Sequence, residues 1–407
     1  MRMLFLNRSF WPDYEGAGQH LTGLCIELAR RHEVTVIAGP SLHVTTSSHG
    51  MWAREKIGNV NIIRTAGTRF SKSRLAGRLL NLGTHYVLAA AAALRVEAPD
   101  VLIPNTDPPL LGSLAVALKR RWGCSLVYNV RDLYPDVAQV NGGLKNRALL
   151  KLLEVSNRAA YSASEQVLTL GDDMARRIIA KGVPREKLAV VPNWVDCRES
   201  RSPAHNELRE SFGDKFVVMY AGNIGLSQGL DLVVDAAQRL RNDDRLLFAL
   251  VGNGASKPAL QRRVQALGLT NVVFLPYQSQ EKLSETLGAA DLHLITLAPG
   301  LAGCLVPSKV YAILAAGRPF IAMMDKDTDV AQMALERSVG YWVPAGDTEG
   351  LIQTLRAAVS NPNARRMMGE RARRLAEEQF DLPIIAARFE SAILSAVTAR
   401  TAVESAY

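Results

Sequence analysis

The stretch Gly303-Cys-Leu-Val-Pro-Ser-Lys-Val-Tyr-Ala-Ile-Leu-Ala-Ala-Gly-Arg-Pro319 reads as a loop entering a helix, with Phe320-Ile-Ala-Met-Met324 as the buried strand that follows. Pro307 takes a first-turn position where a missing N–H costs little, and Ser308 can accept from the free donors there. Lys309 adds a full positive charge to the partial one at a helix N-terminus, so the junction suits an anion. Ala312, Ala315, Ala316 and Gly317 keep one face small enough to lie close against a sheet, and Gly317 with Pro319 ends the helix. Taken alone, the stretch fits a tightly packed junction without a ligand equally well.

Upstream, Phe216–Tyr220, Leu246–Val251, Val272–Phe274 and Leu292–Ile295 read as short apolar strands separated by helical patterns, the signature of a parallel sheet. Two of them run into glycine turns, Gly222-Asn-Ile-Gly225 and Gly252-Asn-Gly254. Two such turns and the Lys309 junction at one edge of a single sheet make a phosphate site a far stronger reading together than any one does apart. Lys257, three residues past Gly254, either reaches that site or is simply solvated.

The N-terminal half repeats the alternation, with strands at Met3–Asn7, Val34–Ala38, Val101–Ile103, Leu126–Val130, Gln166–Leu170 and Leu188–Val191. After the first strand comes a loop, Trp11 to His20, whose Gly16, Ala17 and Gly18 let a ligand or a facing domain approach the backbone. Leu21 stands where the third glycine of a dinucleotide fingerprint would be, which weakens that reading. His20 either faces a cleft or packs locally, and a lone histidine more often packs. Arg131-Asp-Leu-Tyr-Pro135 follows a strand directly, which puts Arg131 and Asp132 at the carboxyl rim where such sheets bind ligands. Asp132 equally suits a cap for the turn before Pro135.

At 407 residues the chain calls for two domains. The first is expected over 1–195, a polar hinge runs from Pro192 to about Lys215, and the second domain spans 214–383. The last helix, 384–407, has no strand to cover and is expected to pack back on the first domain. Hydrophobic content of 48% with 21% charged residues is that of a soluble globular protein, and no apolar run reaches the roughly 20 residues of a spanning helix. Cys25, Cys124, Cys197 and Cys304 are scattered, which points to a reducing cytosol. The net charge of +9 suits a phosphorylated ligand, an anionic membrane or nucleic acid. Nucleic acid is least favoured, because the basic residues are not interleaved with aromatic ones.

From Arg69 to Arg95 the chain carries Arg69, Lys72, Arg74, Arg78 and Arg95 with no acidic residue, beside Leu75, Leu79, Leu80, Leu82 and Val87. That amphipathic pattern suits an anionic membrane surface, and a core-facing helix with a solvated basic side fits it as well. Asp325, Asp327, Asp329 and Glu336 match the spacing of a calcium loop, but Val330 stands where that loop needs glycine, so they read as a solvated turn.

The set Pro12–Gly18, Arg131–Pro135, Pro192-Asn-Trp-Val-Asp196, Ala221–Gly225 with Gln228-Gly-Leu-Asp231, Val251–Gly254 and Pro307–Lys309 through Pro319 resembles the family 4 glycosyltransferases of GT-B fold. The branch that it is similar to includes L-fucosamine transferases of O-antigen and capsule assembly. The resemblance covers nearly the whole chain. It implies an α/β fold of two Rossmann-like, doubly wound parallel-sheet domains facing an interdomain cleft.

It also implies transfer of a sugar, with retention and without metal or other cofactor, from a nucleotide-sugar donor to a lipid-linked or polysaccharide acceptor. The enzyme would be cytoplasmic and peripheral at the inner face of the cell membrane, in bacterial surface-glycan synthesis. Donor-binding residues would be Gly222, Asn223, Gly225, Gln228, Gly252, Gly254, Lys257, Tyr277, Cys304, Leu305, Val306, Ser308 and Lys309. The acceptor-side loop would be Gly16, Ala17, Gly18 and His20. Family members often carry Arg and Lys in the first glycine turn, where this chain has Asn223 and Gln228. Their paired glutamates are replaced by Cys304 and Ala312, and Arg131 stands about where relatives carry a histidine, leaving Asp132 as the catalytic candidate beside Arg131. A nucleotide-sugar epimerase of the same architecture, or a non-catalytic nucleotide-sugar binder, are the alternative readings.

Overall fold

The structure is a computed structural model that describes residues 1–13, 16–41, 51–68, 70, 75–140, 144, 146–200, 205–225 and 228–404. It divides into two compact units, Met1–Pro192 with Leu382–Tyr407, and Asn193–Asp381.

The first unit runs β1 (Arg2–Leu6), α1 (Gly16–Leu28), β2 (Glu33–Ala38), β3 (Trp52–Ile57), β4 (Val60–Thr65), α2 (Leu75–Ala93), β5 (Val101–Pro104) and α3 (Leu111–Trp122). It continues with β6 (Ser125–Asn129), α4 (Asp136–Val140), α5 (Arg147–Ala163), β7 (Gln166–Thr169), α6 (Asp172–Ala180) and β8 (Leu188–Val190). The eight strands lie in the order β3-β4-β2-β1-β5-β6-β7-β8. All neighbours are parallel except β3 with β4. A parallel strand is covered on both faces, which is why its sequence is a continuous apolar run and not an alternating one. On one face Leu4, Leu6, Leu102 and Leu126 meet Leu111, Leu114 and Leu118 of α3 with Ala89, Ala92 and Ala93 of α2.

The second unit runs α7 (Glu207–Ser211), β9 (Phe216–Ala221), α8 (Asp231–Arg239), β10 (Leu246–Val251), α9 (Lys257–Ala266), β11 (Val272–Leu275), α10 (Leu283–Gly288) and β12 (Leu292–Thr296). It ends with α11 (Lys309–Ala315), β13 (Phe320–Met323), α12 (Asp329–Glu336), β14 (Gly340–Val343), α13 (Thr348–Ser360) and α14 (Pro362–Leu375). Its six parallel strands lie in the order β11-β10-β9-β12-β13-β14, so the order reverses at β9 and β12. The final helix, α15 (Leu382–Glu404), returns to the first unit. There Phe389 stacks on Phe5 at 6.1 Å, and Glu390 pairs with His32 and Arg31, both at 2.6 Å. Contrary to the expectation that no apolar run is long enough, the span Leu382–Thr401 is long and apolar enough to cross a membrane, and its Ile385, Phe389 and Ile393 are buried within this unit.

Several expectations need correction. Past Pro192, the described residues of the polar stretch read as a hinge belong to the second unit: Asn206 caps α7 through Arg209 N at 2.8 Å and donates to Glu285 O, while Arg209 pairs with Asp291. The β3–β4 hairpin and β14 are additions to the expected strands; β3, Trp52-Ala-Arg-Glu-Lys-Ile57, is partly exposed and lacks the apolar run that marks the others. Helix α2 forms and leaves Leu79, Leu80 and Val87 exposed, while Arg69, Lys72 and Arg74 lie outside the described residues.

Arg64 on β4 is almost wholly buried. It holds Glu55 of β3 with its Nε 2.9 Å from both carboxylate oxygens, and also donates to the carbonyls of Gly39 and Trp11. Removing one partner of a buried pair leaves the other charge uncompensated. Arg64→Ala is therefore expected to lower stability by about 3 kcal/mol, read as a fall in the urea midpoint, and an unchanged midpoint would contradict this account of the hairpin.

Candidate active site

In the second unit, β9 and β10 end side by side in two glycine turns that are stitched to each other. Gly222 N donates to Val251 O at 2.9 Å, Ile224 N to Asn253 O at 2.8 Å, and Ser256 N to Ile224 O at 3.0 Å. The stitching needs bare backbone. A Cβ on Gly252 (φ +139°) would lie 1.9 Å from Gly222 O, and one on Gly254 (φ +154°) would lie 2.3 Å from Ile224 O. In the first turn, a Cβ on Gly225 would meet the side-chain amides of Asn223 and Gln228 at 2.8 and 2.9 Å. The Gln228 Oε1 is buried without a hydrogen-bond partner among the described residues.

Lys309, the first residue of α11, sends its amine into this corner. Its Nζ lies 3.1 Å from where a Cβ on Gly222 would sit and 3.6 Å above the ring of Tyr220. It is buried and makes no hydrogen bond among the described residues. Burial lowers its pKa from the usual lysine range to about 7. A buried ammonium without an anion is costly, and three donors without acceptors make it more so. The corner is therefore built for a ligand that brings negative charge and acceptor oxygens. The structure brings together Gly222, Asn223, Gly225, Gln228, Gly252, Gly254 and Lys309. Tyr220, which sequence reasoning missed, joins them; its only signal was an aromatic residue just before a glycine turn.

Other expected donor residues sit differently. Lys257 is not simply solvated: its Nζ donates to Gly252 O at 2.7 Å and Leu275 O at 3.1 Å, so it ties the second turn to β11. Ser308 precedes α11 in helical conformation and makes no side-chain cap, contrary to expectation. Cys304 is fully buried, with its thiol donating to Gly300 O at 3.9 Å. Leu305 and Val306 are half-buried before α11, and Tyr277 is exposed after β11. Asp325 accepts from Gly300 N and Thr328 caps α12 through Ala331 N, which ties the acidic turn into local structure.

In the first unit the carboxyl ends of β1, β5 and β6 converge. Arg8 binds Asp107 at 3.1 Å and Ser9 Oγ donates to its other oxygen at 2.8 Å. Thr106 Oγ1 accepts from both Arg131 N and Asp132 N at 3.0 Å. Burial lifts Asp132 to about 6, opposed by Arg131 and reinforced by Asp107. Burial, then Arg131, lowers His20 to about 3, so His20 is neutral and near Arg131. The acceptor-side residues are not on a loop: Gly16, Ala17, Gly18 and His20 lie in the first turns of α1. Helix formation starts early because Gly18 packs on the Ser9 backbone, where a Cβ would come within 3.3 Å, and Thr22 Oγ1 bridges Gly18 O and Trp11 N.

Comparison with known proteins follows the same division. Residues 15–194 match the glycosyl transferase 4-like domain, and residues 204–375 match glycosyl transferases group 1. WcaI of Escherichia coli (strain K12), whose name provisionally makes it a colanic acid biosynthesis glycosyl transferase, is 28% identical over 399 residues, covering 93% of this chain and 97% of WcaI. The O-antigen chain mannosyltransferase C of Escherichia coli is 27% identical over 390 residues, covering 93% and 94%. Among solved structures, Anabaena Alr3699/HepE in complex with UDP superposes with a TM-score of 0.75 at 16% identity, covering 97% of this chain and all of that one. Sucrose-phosphate synthase from Thermosynechococcus elongatus gives 0.79 at 16% identity, covering 98% and 100%.

Unfolding returns Lys309 to its ordinary pKa, so between pH 7 and about 10.4 the unfolded chain binds the extra proton and this group's contribution to stability rises with pH. At pH 7.5 Lys309→Met removes a buried donor that has no acceptor among the described residues, a relief of about 1–3 kcal/mol. The unligated variant is expected to melt at or above the wild type in calorimetry; a Tm several degrees lower would show that the amine is satisfied after all.

Proposed function

As this chain belongs to the family 4 glycosyltransferases of GT-B fold, we propose that it transfers a sugar, with retention, from a nucleotide-sugar donor to a growing bacterial surface polysaccharide or its lipid-linked precursor. The observation that carries the proposal is the Lys309 amine, buried against Gly222 without an acceptor among the described residues. A donor diphosphate supplies what that amine lacks, and the bare turns at Gly222, Gly252 and Gly254 let its oxygens come close to backbone N–H groups. Relatives of known fold have been solved with UDP and with UDP-glucose, which supports a donor of this class.

In this reading the bond between the anomeric carbon and the diphosphate oxygen breaks with its electron pair leaving on the diphosphate. The acceptor hydroxyl oxygen forms the new bond on the same face, and its proton passes to the departing oxygen. Lys309 carries the charge that grows on the leaving group, with backbone N–H groups about Leu305, Val306 and Ser308 contributing; no metal takes part. Asp132 and Arg131 serve the acceptor in the first unit, where the Asp132 carboxyl, raised to about 6 by burial, orients the acceptor through a hydrogen bond while the reacting hydroxyl's proton goes to the departing oxygen. The exposed Leu79, Leu80 and Val87 of α2, with the net charge of +9, support work at an anionic cytoplasmic membrane face.

Incubation of the pure protein with UDP-, GDP-, dTDP- and ADP-sugars and a membrane extract is expected to release nucleoside diphosphate. Lys309→Met should cut that release about 100-fold or more. Binding of none of these nucleotides would overturn the proposal, and donor conversion without acceptor would replace it with an epimerase.

Because the protonated amine is the form that binds an anion, diphosphate affinity is expected to fall as pH rises from about 7. Complex formation above pH 7 should take up a proton, visible as a binding enthalpy that depends on the ionisation enthalpy of the buffer. A buffer-independent enthalpy at pH 8 would contradict this.

A further inference from the structure

Tyr220 is fully buried on β9 and makes two contacts that no ordinary core tyrosine needs. Its ring lies 3.6 Å under the Lys309 amine, and its hydroxyl donates to Asn223 O at 2.7 Å, inside the first glycine turn. A cation over a ring face is attracted by the ring's negative quadrupole, and the attraction grows as water is excluded. The hydroxyl bond fixes the carbonyl between Gly222 and Ile224, the residues on which the second turn is stitched. We propose that Tyr220 is the positioning residue of the diphosphate site, its ring seating Lys309 against Gly222 and its hydroxyl holding the glycine turn in the shape that receives the anion.

This rests on the donor reading above and adds to it. The first turn, Gly222 to Gln228, holds no basic residue, so one lysine from α11 must serve both turns. A four-carbon side chain loses considerable rotamer freedom when held in one place. A rigid aromatic floor holds it there before the ligand arrives, and, being neutral, it leaves the charge available to the ligand. The other titratable groups around Lys309 do not compete for it. His293 on β12 is kept at about 4 by burial and bonds Leu287 O, so it is neutral above pH 6. Arg318 donates to Gly288 O, and Arg373 and Glu377 pair at 2.7 Å, with Arg373 also on Ala315 O at the far end of α11.

The test titrates the full-length wild type, Tyr220→Phe and Tyr220→Leu with whichever of UDP, GDP, dTDP and ADP the wild type binds most tightly, by calorimetry from pH 6 to 9. The ligand's own titration is common to all three proteins and cancels in the comparison. Tyr220→Phe keeps the seat and loses the tie: its affinity is expected to fall two- to fivefold with the midpoint of the pH profile unmoved. Tyr220→Leu loses both: its affinity is expected to fall about tenfold or more, with the midpoint moved to lower pH because the ammonium loses its ring. A Leu variant that binds as tightly as the wild type, or whose midpoint stays or rises, overturns the role of Tyr220 while leaving the donor site standing. A Phe variant whose midpoint moves with that of the Leu variant also overturns it. Failure of the wild type to bind any of the four overturns both.

Discussion

A primary amine closed off from water, with an aromatic face on one side and a glycine on the other, sets the terms for the second unit. Burial alone would favour the neutral form, and it brings Lys309 down to about 7. The group is thus balanced at physiological pH between an uncharged state that the protein tolerates and a charged state that only a bound anion satisfies. Such a balance costs stability in the unligated protein, and a ligand that binds only the folded state would offset that cost.

The surrounding architecture follows from the need to place that amine. Strand order reverses at β9 and β12, and in open parallel sheets ligands bind outside the carboxyl ends of the strands at such a reversal. The two glycine turns close there because three interturn hydrogen bonds replace side chains, and no residue with a Cβ fits at Gly252 or Gly254. By binding Gly252 O and Leu275 O, Lys257 satisfies carbonyls that the turn would otherwise leave open. The first unit uses the same rule differently. Its rim gathers Arg8, Asp107, Asp132, Arg131 and His20, a mixed set whose charges largely answer one another.

Much of this was readable from the chain because parallel sheets write themselves as apolar runs: Leu246–Val251 and Leu292–Ile295 have no other comfortable state. The glycine turns and Lys309 were readable because backbone conformations with positive φ and a helix start each demand particular residue types. What stayed hidden depends on contacts between distant positions. Tyr220 gains its role only from a lysine far along the chain, and the spacing of Lys257 from Gly254 does not say which way its stem turns. Strand β3, half-exposed and charged, carries no apolar run because an edge strand needs none. Asn206 looked like linker for the same reason: its partner, Glu285, is far along the chain.

The titration of Lys309 itself bears most directly on the account. Carbon-13 labelling of the lysine ε-position, with Lys309 assigned by the spectrum of Lys309→Arg, allows its protonation to be followed by NMR in the free protein and with saturating nucleoside diphosphate. The account predicts a midpoint near 7 when free and a rise of a unit or more when bound. A free midpoint near 10.4, unmoved by nucleotide, would mean that the amine is solvated and that the diphosphate site is not there.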